Sequence, residues 1–497
     1  MLLSTLLQNE YALPTNLDRE IVHLALDSRH VAQGGLFLAI QGTICDGRQY
    51  IEEAIHAGAC AVLVETSVAD APISLVDGVP VIPIRLLREK MGRLASRFYD
   101  EPSKKLRVIG VTGTSGKTSC THFMAQVLDR PCGVIGTLGI GLLHALNANI
   151  GTTPDAISLQ AILQQFVEAQ IEYAAMEVTS HSIHQKRIQG IHFAMRVFTN
   201  LTQDHLDYHG NMAQYAATKQ AFLVDDSDGS DLIINADDHY GNLWIKEWHR
   251  RPRLFAYGMK ETVALRDSLP AIHAEIVKHS LYEIQVKLTT PWGDDKLSVP
   301  LSGFFNLSNA LATLAVGCLS GMPLQAVLTR LSTLQPVVGR MQTVSLPNAP
   351  LVVVDYAHKP DALLNVLSVL RAETTGRLVC IFGCGGERDR LKRPVMAQIA
   401  ERYADDIIVT NDNPRHEAPQ SIAAEIMQGF KQPLRVRLIL DRASAIFEGI
   451  RNAKQHDCVL IAGRGGETEQ KIGDSIIHFD DAAEAMKCLS MCYHSED

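Results

Sequence analysis

The sequence predicts an α/β protein of three domains: a small N-terminal α/β domain, a central domain with a mostly parallel sheet and a phosphate-binding loop, and a C-terminal Rossmann-like domain. Three observations carry this. Over most of the chain, short apolar runs alternate with long helical intervals, the pattern of strands joined by crossover helices. One run, RVIGVT (107–112), ends in the glycine-rich turn GTSGKTS (113–119). Beyond Pro336, four apolar runs each end in a polar signature, most of them bearing glycine or proline.

At 497 residues the chain exceeds one hydrophobic core, and the usual domain size gives about three. Residues 1–103 form the first, with apolar runs at 35–40, 59–65 and 79–84 and a helical pattern at 49–57. The polar stretch EPSKK (101–105) reads as a linker. The second domain, 104–335, has runs at 173–178, 196–199 and 232–235 between candidate helices. Between 270 and 303 the period shortens: residues 282–288 alternate apolar and polar, and Trp292-Gly293-Asp294 supplies a turn, so an antiparallel excursion is expected before a helix at 307–320. The third domain is 336–497.

The loop after residue 112 has the chemistry of a nucleotide phosphate cradle. Gly113 and Gly116 let backbone N–H groups approach an anion, Lys117 brings a cation to the outer phosphates, and the Thr118 hydroxyl can hold Mg²⁺ where a helix, expected over 118–129, begins. Val111 stands where the strict loop pattern has glycine, so the loop is a variant. In the third domain, run 351–354 leads into DYAHKPD, 378–382 into GCGGERD, 407–410 into NDNPRHE and 459–462 into GRGGETE. Ligands of open parallel sheets bind beyond the carboxyl ends of the strands, so these four ends predict one binding edge. The central domain repeats the habit with Glu177 and with NLTQDHLDYH (200–209), whose carboxylates and imidazoles suit Mg²⁺ on phosphates.

Composition narrows the partners. A formal net charge of -9 argues against nucleic acid. Ten cysteines include no CxxC pair, and the four-residue offsets 380/384 and 488/492 make no four-ligand zinc pattern, so reduced thiols are expected. MLLSTLLQNE is not a basic leader, and no run approaches the roughly eighteen apolar residues of a membrane span; a soluble, cytoplasmic protein is expected.

The set GTSGKTS (113–119), MEVTSHSIHQKR (176–187), TNLTQDHLDYHG (199–210), YAATK (215–219), NLSNA (306–310) and DYAHKPDAL (355–363) closely resembles the Mur ligases of peptidoglycan synthesis, over nearly the whole chain. LDSR (26–29), with GLFLAIQG and DGRQYI, resembles the N-terminal domain of members that bind the UDP end of the muramoyl precursor. The resemblance implies an ATP-dependent amide ligase. ATP phosphorylates the D-glutamate side-chain carboxylate of a UDP-N-acetylmuramoyl-dipeptide, and the amine of the incoming amino acid displaces phosphate. It further implies Lys117, Glu177, His205 and Lys219 as catalytic residues, Lys219 as a carbamate that joins Thr118, Glu177 and His205 around Mg²⁺. ATP falls to Gly113, Thr114, Ser115, Gly116, Lys117, Thr118 and Ser119 with Asn306, Asn309, Arg340, Asp355 and His358, under a closing third domain. The UDP-dipeptide falls to Ser28, Thr43, Ile44, Cys45, Thr152, Thr153, Thr179, Gln185 and Arg187.

The incoming amino acid is assigned on DNPR. The resemblance places it against Arg388, Asp412, Asn413, Pro414, Arg415, Gly463 and Glu467. meso-Diaminopimelate differs from lysine by a second carboxylate on its distal carbon, which calls for a planar bidentate cation, and Arg415 supplies one where lysine-adding members lack it. Glu467 suits the ammonium beside that carboxylate. The chain departs from the family pattern at Gly151, where asparagine is common, at Thr179 in place of serine, and at Gly466 in place of histidine. A monomer is expected. A lysine-adding ligase of the same step and a catalytically silent nucleotide-binding protein on this fold remain the alternatives.

Overall fold

The structure, a computed structural model, describes residues 1–42, 45–68, 71–148, 151–225, 229–260 and 269–493. The chain divides into two compact units. The first comprises Met1–Thr112, Arg130–Arg196 and Thr218–Asp231; the second comprises Gly113–Asp129, Val197–Ala217 and Leu232–Asp497.

The first unit opens with the sheet of β1 (His23–Ala25), β2 (Gly35–Ala39), β3 (Ala59–Thr66), β4 (Ser74–Val76) and β5 (Val79–Arg85). The order is β1-β2-β3-β5-β4, parallel throughout except for the edge strand β4. Every residue of β2 is buried, as expected of a parallel strand covered on both faces. One face packs Leu36, Leu38, Leu63 and Ile82 against the apolar stripe Leu87, Met91, Leu94 and Ala95 of the helix Leu87–Phe98. The other face packs Phe37, Ala39 and Val62 against Ala54.

The EPSKK stretch is a helical turn, Pro102–Lys105, and not an open linker. Proline fits the first turn of a helix, where its missing N–H is no loss. The polarity of the stretch belongs to Glu101, Lys104 and Lys105, while Pro102 and Ser103 are buried and the Ser103 hydroxyl accepts from His192 N at 3.0 Å.

Further strands of this unit are β6 (Arg107–Thr112), β7 (Cys132–Gly136), β8 (Gly139–Leu142), β9 (Ala145–Asn147) and β10 (Tyr173–Glu177). β10 lies between β6 and β7, parallel to both, and β8 and β9 extend β7 as an antiparallel meander. β11 (Phe193–Phe198) and β12 (Asp231–Asn235) carry the chain across the unit boundary.

In the second unit β13 (Leu254–Gly258) runs parallel to β12 and to β14 (Ala271–His279), and β15 (Ile284–Thr289) and β16 (Asp295–Val299) continue antiparallel. This is the excursion expected from the alternation at 282–288. The helix Phe304–Leu319 follows; it is buried nearly all round, as its continuous apolar run requires.

The C-terminal sheet comprises β17 (Gln342–Val344), β18 (Leu351–Asp355), β19 (Leu378–Phe382), β20 (Asp406–Val409), β21 (Val436–Leu438) and β22 (Cys458–Ala462). Its order is β17-β18-β22-β19-β20-β21, all parallel except β17. Leu363, Leu367, Leu370 and Met396 cover one face, and Ala445, Ile446, Ile450 and Leu489 the other. The four strands that precede the polar signatures are therefore neighbours, with their carboxyl ends on one edge. A separate hairpin, β23 (Glu469–Ile472) with β24 (Ser475–His478), follows β22. Among the described residues no helix is long and apolar enough to cross a membrane.

Candidate functional site

β6 delivers the chain into the glycine loop, and the helix Lys117–Val127 leaves it. Gly113 (φ +153°) and Gly116 (φ +86°) cannot be replaced without collision: an added Cβ would stand 1.9 Å from Thr199 Oγ1 at the first and 2.6 Å from Asn309 Oδ1 at the second. The loop is held from below. Thr114 N donates to Asn200 O (2.8 Å), Ser115 N to Asn200 Oδ1 (2.9 Å), and Thr199 Oγ1 to Ser115 O (2.6 Å). The Thr114 hydroxyl lies 3.1 Å from Tyr215 Oη. Lys117 Nζ donates to Gly113 O and Thr114 O at 2.9 and 3.1 Å, which keeps its ammonium on the loop. Thr118 and Ser119 are buried in the first turn of the helix.

Of the other residues expected at ATP, Arg340 and Asn309 reach the loop and the helix that leaves it. Arg340 Nη2 donates to Thr118 Oγ1 at 3.2 Å, with its guanidinium 4.2 Å from the centre of the Tyr356 ring. Asn306 and Asn309 are buried on the helix Phe304–Leu319, and Cys120 Sγ donates to Asn309 Oδ1 at 3.4 Å. Asp355, at the end of β18, accepts from Met341 N at 2.7 Å; burial pushes its carboxyl up to about 6. Burial, reinforced by Lys359 and Lys392, keeps the His358 imidazole neutral, well below its usual range.

Lys359 was not among the expected site residues. Its Nζ lies 2.6 Å from Asp204 Oδ2 and donates to Thr114 O at 3.3 Å, while His205 Nε2 lies 3.0 Å from the same Asp204 oxygen. Burial would raise the Asp204 carboxyl, but Lys359 and His205 outweigh it and hold it far below the usual carboxylate range. The signal was present in DYAHKPD, whose lysine follows the histidine directly.

In the first unit, Glu177 ends β10 and is 1% exposed. Its carboxylate accepts from Thr137 N at 2.8 Å and Thr137 Oγ1 at 3.4 Å. Thr137 Oγ1 is 3.1 Å from Thr152 Oγ1; Thr153 Oγ1 donates to Glu177 O at 2.8 Å and lies 3.4 Å from Thr179 Oγ1. Thr179 caps the helix Ser180–His184 by accepting from Ser182 N, so the hydroxyl that stands in place of serine serves as an N-cap. Arg187 Nη1 donates to Thr153 O (2.8 Å), and its Nε and Nη2 hold Gln185 Oε1 (2.9 and 2.6 Å). Five of the residues expected at the UDP-dipeptide thus form one network with Glu177. Ser28 is buried at the turn Ser28–His30 after β1, and Cys45 is exposed. Thr43 and Ile44 lie outside the described residues. Gly151 is exposed and an added Cβ would meet nothing, so an asparagine there would find room. Lys219, 1% exposed, donates to Thr112 Oγ1 at 3.5 Å.

The C-terminal edge forms a pocket that draws on all four strand ends: Tyr356 and His358 after β18, Arg388 and Lys392 after β19, Asp412, Asn413 and Arg415 after β20, and Gly463 and Glu467 after β22. Asp204 and His205 line it as well. Its polar groups are tied to one another. Asn413 Nδ2 donates to Glu467 Oε2 at 2.8 Å, Tyr356 Oη to Glu467 Oε1 at 2.9 Å, and Asn413 N to Asp412 Oδ1 at 2.7 Å. Arg415 Nη1 donates to Gly386 O at 2.8 Å, and Arg388 Nη1 to Glu387 O at 3.1 Å. The Pro414 carbonyl packs against Gly386, and Gly463 N donates to Asp355 O at 3.0 Å. Asp412 Oδ2 is buried and has no hydrogen-bond partner among the described residues, an acceptor left open at the pocket. Burial, with Asp412 beside it, raises the Glu467 carboxyl, and burial with Arg388 nearby lowers Arg415. Gly466 abuts Val338, whose Cγ1 would stand 3.0 Å from an added Cβ, so a histidine here would need Val338 to yield.

The donor chemistry suits the groups that the sequence implies. Two glycines whose Cβ space is filled, a helix N-terminus and Lys117 make a phosphate cradle. The Thr118 hydroxyl is an oxygen donor of the kind Mg²⁺ takes, as is the Glu177 carboxylate, while the His205 imidazole is a softer ligand. Among the described residues no three His, Cys, Asp or Glu side chains cluster as a metal site.

Comparison with known proteins places the whole chain. Family models described as Mur ligase family, catalytic domain, Mur ligase middle domain, and Mur ligase, glutamate ligase domain match residues 20–99, 111–317 and 339–465. The UDP-N-acetylmuramoyl-L-alanyl-D-glutamate--2,6-diaminopimelate ligase of Coxiella burnetii is 44% identical over 94% of this chain and 95% of its own. The enzyme of the same name from Haemophilus influenzae (strain 86-028NP) is 41% identical over 95% and 97%. A solved structure of a ligase of that name superposes with a TM-score of 0.66 at 34% identity, covering 96% of each chain. The MurF ligase of Thermotoga maritima in complex with ADP shares the fold, with a TM-score of 0.63 at 17% identity over 97% and 98% of the two chains.

Proposed function

From the premise that the chain belongs to the Mur ligase family, we propose that it adds meso-diaminopimelate to UDP-N-acetylmuramoyl-L-alanyl-D-glutamate at the expense of ATP, as a cytoplasmic monomer. The observation that carries the choice of amino acid is the charge arrangement of the C-terminal pocket. Arg415 and Arg388 stand with Asp412 and Glu467 around one opening, a match for an acceptor whose distal carbon bears both a carboxylate and an ammonium.

We assign 1–103 to the UDP end of the precursor, 104–335 to ATP and 336–497 to the amino acid. The γ-phosphoryl group of ATP passes to the D-glutamate side-chain carboxylate, and ADP leaves. The acceptor amine then attacks the acyl carbon, loses a proton, and expels phosphate as the amide forms. The protein's contribution is positioning and charge neutralisation. Lys117 and Arg340 bring positive charge to the glycine loop, and the Glu177 network of Thr152, Thr153, Thr179, Gln185 and Arg187 orients the dipeptide end. The neutral His358 and buried Asp355 serve the nucleoside end. Thr118, Glu177, His205 and a carbamylated Lys219 are the donors we assign to Mg²⁺, which when bound would offset the repulsion between a carboxylate and the phosphates.

The test is phosphate release with each substrate withheld in turn, and with L-lysine in place of meso-diaminopimelate. Turnover only with ATP, the UDP-dipeptide and meso-diaminopimelate together supports the reading; ATP binding without turnover makes the chain a silent nucleotide-binding protein. Arg415→Ala is expected to raise the KM for meso-diaminopimelate by one to three orders of magnitude, roughly the 1.5–3 kcal/mol of a charged hydrogen bond and more for a bidentate one, with ATP binding unchanged.

A further inference from the structure

The hairpin of β23 and β24 is not part of the C-terminal sheet, and a two-stranded hairpin is marginal on its own. Its strands are exposed except at Gln470, which is 4% exposed. Arg464 Nη2 donates to Glu469 O at its start (2.9 Å), and the other contacts come from the loop that carries Arg415. Gln470 Nε2 donates to Asp412 O at 2.6 Å, and Lys471 N to Asn413 Oδ1 at 2.9 Å. Arg415 N donates to Lys471 O at 3.0 Å, Gly473 N to Arg415 O at 2.7 Å, and Arg415 pairs with Ile472 as a parallel bridge. The His416 ring closes the clasp from outside, 3.1 Å from Glu387 Oε1 and 3.2 Å from Asp474 Oδ1.

Arg415 needs this support. Its φ of +52° lies in the left-handed region, which a residue with a Cβ occupies only when its surroundings over-determine it. Both backbone polar groups of Arg415 are spent on the hairpin, and the Asn413 amide has its nitrogen on Glu467 and its oxygen on the hairpin. One strap therefore fixes the direction of the arginine side chain and couples it to Glu467 across the pocket.

Resting on the acceptor reading above, we propose that the β23–β24 hairpin is the positioning element for amino-acid selection, with Gln470 and the Gly473 N–H as its working contacts. Neither residue lines the pocket; they act through Asp412, Asn413 and Arg415. Because coupling between binding and order is reciprocal, an acceptor that engages Arg415 must also stabilise the hairpin.

Gly473 is exposed, with φ +58° and open space around its Cα, so substitutions there leave every core intact. In the full-length enzyme, Gly473→Pro removes the N–H given to Arg415 O and cannot keep the positive φ, whereas Gly473→Asn keeps the N–H and tolerates the φ. Gly473→Pro and Gln470→Ala are expected to raise the KM for meso-diaminopimelate at least tenfold, with the KM values for ATP and the UDP-dipeptide within twofold of wild type; Gly473→Asn restores wild-type behaviour. Hydrogen exchange across 469–478 is expected to slow on adding meso-diaminopimelate to the wild type and not to Gly473→Pro. An unchanged acceptor KM in Gly473→Pro, or ATP and acceptor KM values rising together, overturns the proposal. Wild-type turnover judges the acceptor reading separately: should another amino acid be the substrate, the same variant-to-wild-type ratio measured with it decides whether the strap stands.

Discussion

The Lys359 ammonium lies 2.6 Å from Asp204 Oδ2, with the two side chains 11% and 12% exposed, and the same ammonium reaches the carbonyl of Thr114 in the glycine loop. A residue of the DYAHKPD signature is thus joined to a residue of the QDHLDYH segment and to the phosphate cradle by one cation. Removing Lys359 would leave the Asp204 carboxylate with His205 alone in a poorly hydrated place. Loss of one partner of a buried pair costs about 3–5 kcal/mol, and the residual exposure here argues for the lower end. Lys359→Met is expected to lose about 3 kcal/mol in denaturant unfolding, and the double change with Asp204→Asn to recover part of it. Additive losses in the double variant would refute the coupling.

Lys219 is a buried lysine on the helix Met212–Leu223, and its ammonium donates to the hydroxyl Thr112 Oγ1 at 3.5 Å. An ammonium would repel Mg²⁺, and a carbamate would attract it. Enzyme stripped of carbon dioxide and bicarbonate is expected to lose most of its activity and regain it on adding bicarbonate. Lys219→Ala is expected to be inactive, with an unfolding midpoint close to wild type and no response to bicarbonate. A bicarbonate-independent wild type would rule out the carbamate.

Much of this was legible in the residues. Most apolar runs became strands within one or two residues of their expected ends, because most are buried on both faces and bounded by glycine, proline or charge; the run 196–199 instead begins at Phe193, three residues earlier. The four polar signatures converged because the strands before them are neighbours in a parallel sheet, which fixes where their carboxyl ends lie. What was not legible is what depends on side-chain direction. EPSKK reads as a linker by composition, yet its proline and serine face inward. Lys359 reads as one more charged loop residue until its partner, 155 positions earlier in number, is seen beside it. The role proposed for the hairpin was invisible for a different reason: its contacts to the Arg415 loop run largely through backbone N–H and C=O groups, which every residue has.

Arg442 and Asp481 show the same limit in the core. Both are fully buried; Arg442 Nε and Nη2 reach the carboxylate at 2.7 Å each, and the remaining donors go to Asn411 O (3.0 Å) and Ala462 O (3.2 Å). Those two carbonyls follow β20 and end β22, so one guanidinium ties together the strand ends that carry Asp412 and Gly463. Arg442→Met is expected to cost about 3–5 kcal/mol by leaving Asp481 buried, with Arg464 3.6 Å away as its remaining cation. Arg442→Met with Asp481→Leu should be markedly less destabilised than Arg442→Met alone, as measured by thermal or denaturant unfolding.

His416 is expected to make acceptor binding sensitive to pH through the clasp. Its ring is exposed, and hydrogen bonds first to Asp474 and then to Glu387 raise its pKa above the ordinary value of 6.5. A raised pKa in the folded state means that the clasp contributes fully below about 6.5, where the ring is charged in any state, and is lost as pH rises through the higher folded value. The groups facing the ring are Glu387 from the loop after β19 and Asp474 from the hairpin turn, both acceptors, so both bonds require the doubly protonated imidazolium. The KM for meso-diaminopimelate is therefore expected to climb as pH is raised above 6.5, with the KM for ATP not following it. In His416→Asn that climb should flatten, with the variant nearest to wild type at high pH and furthest from it at low pH. Parallel profiles for the two proteins would place the pH dependence elsewhere in the pocket.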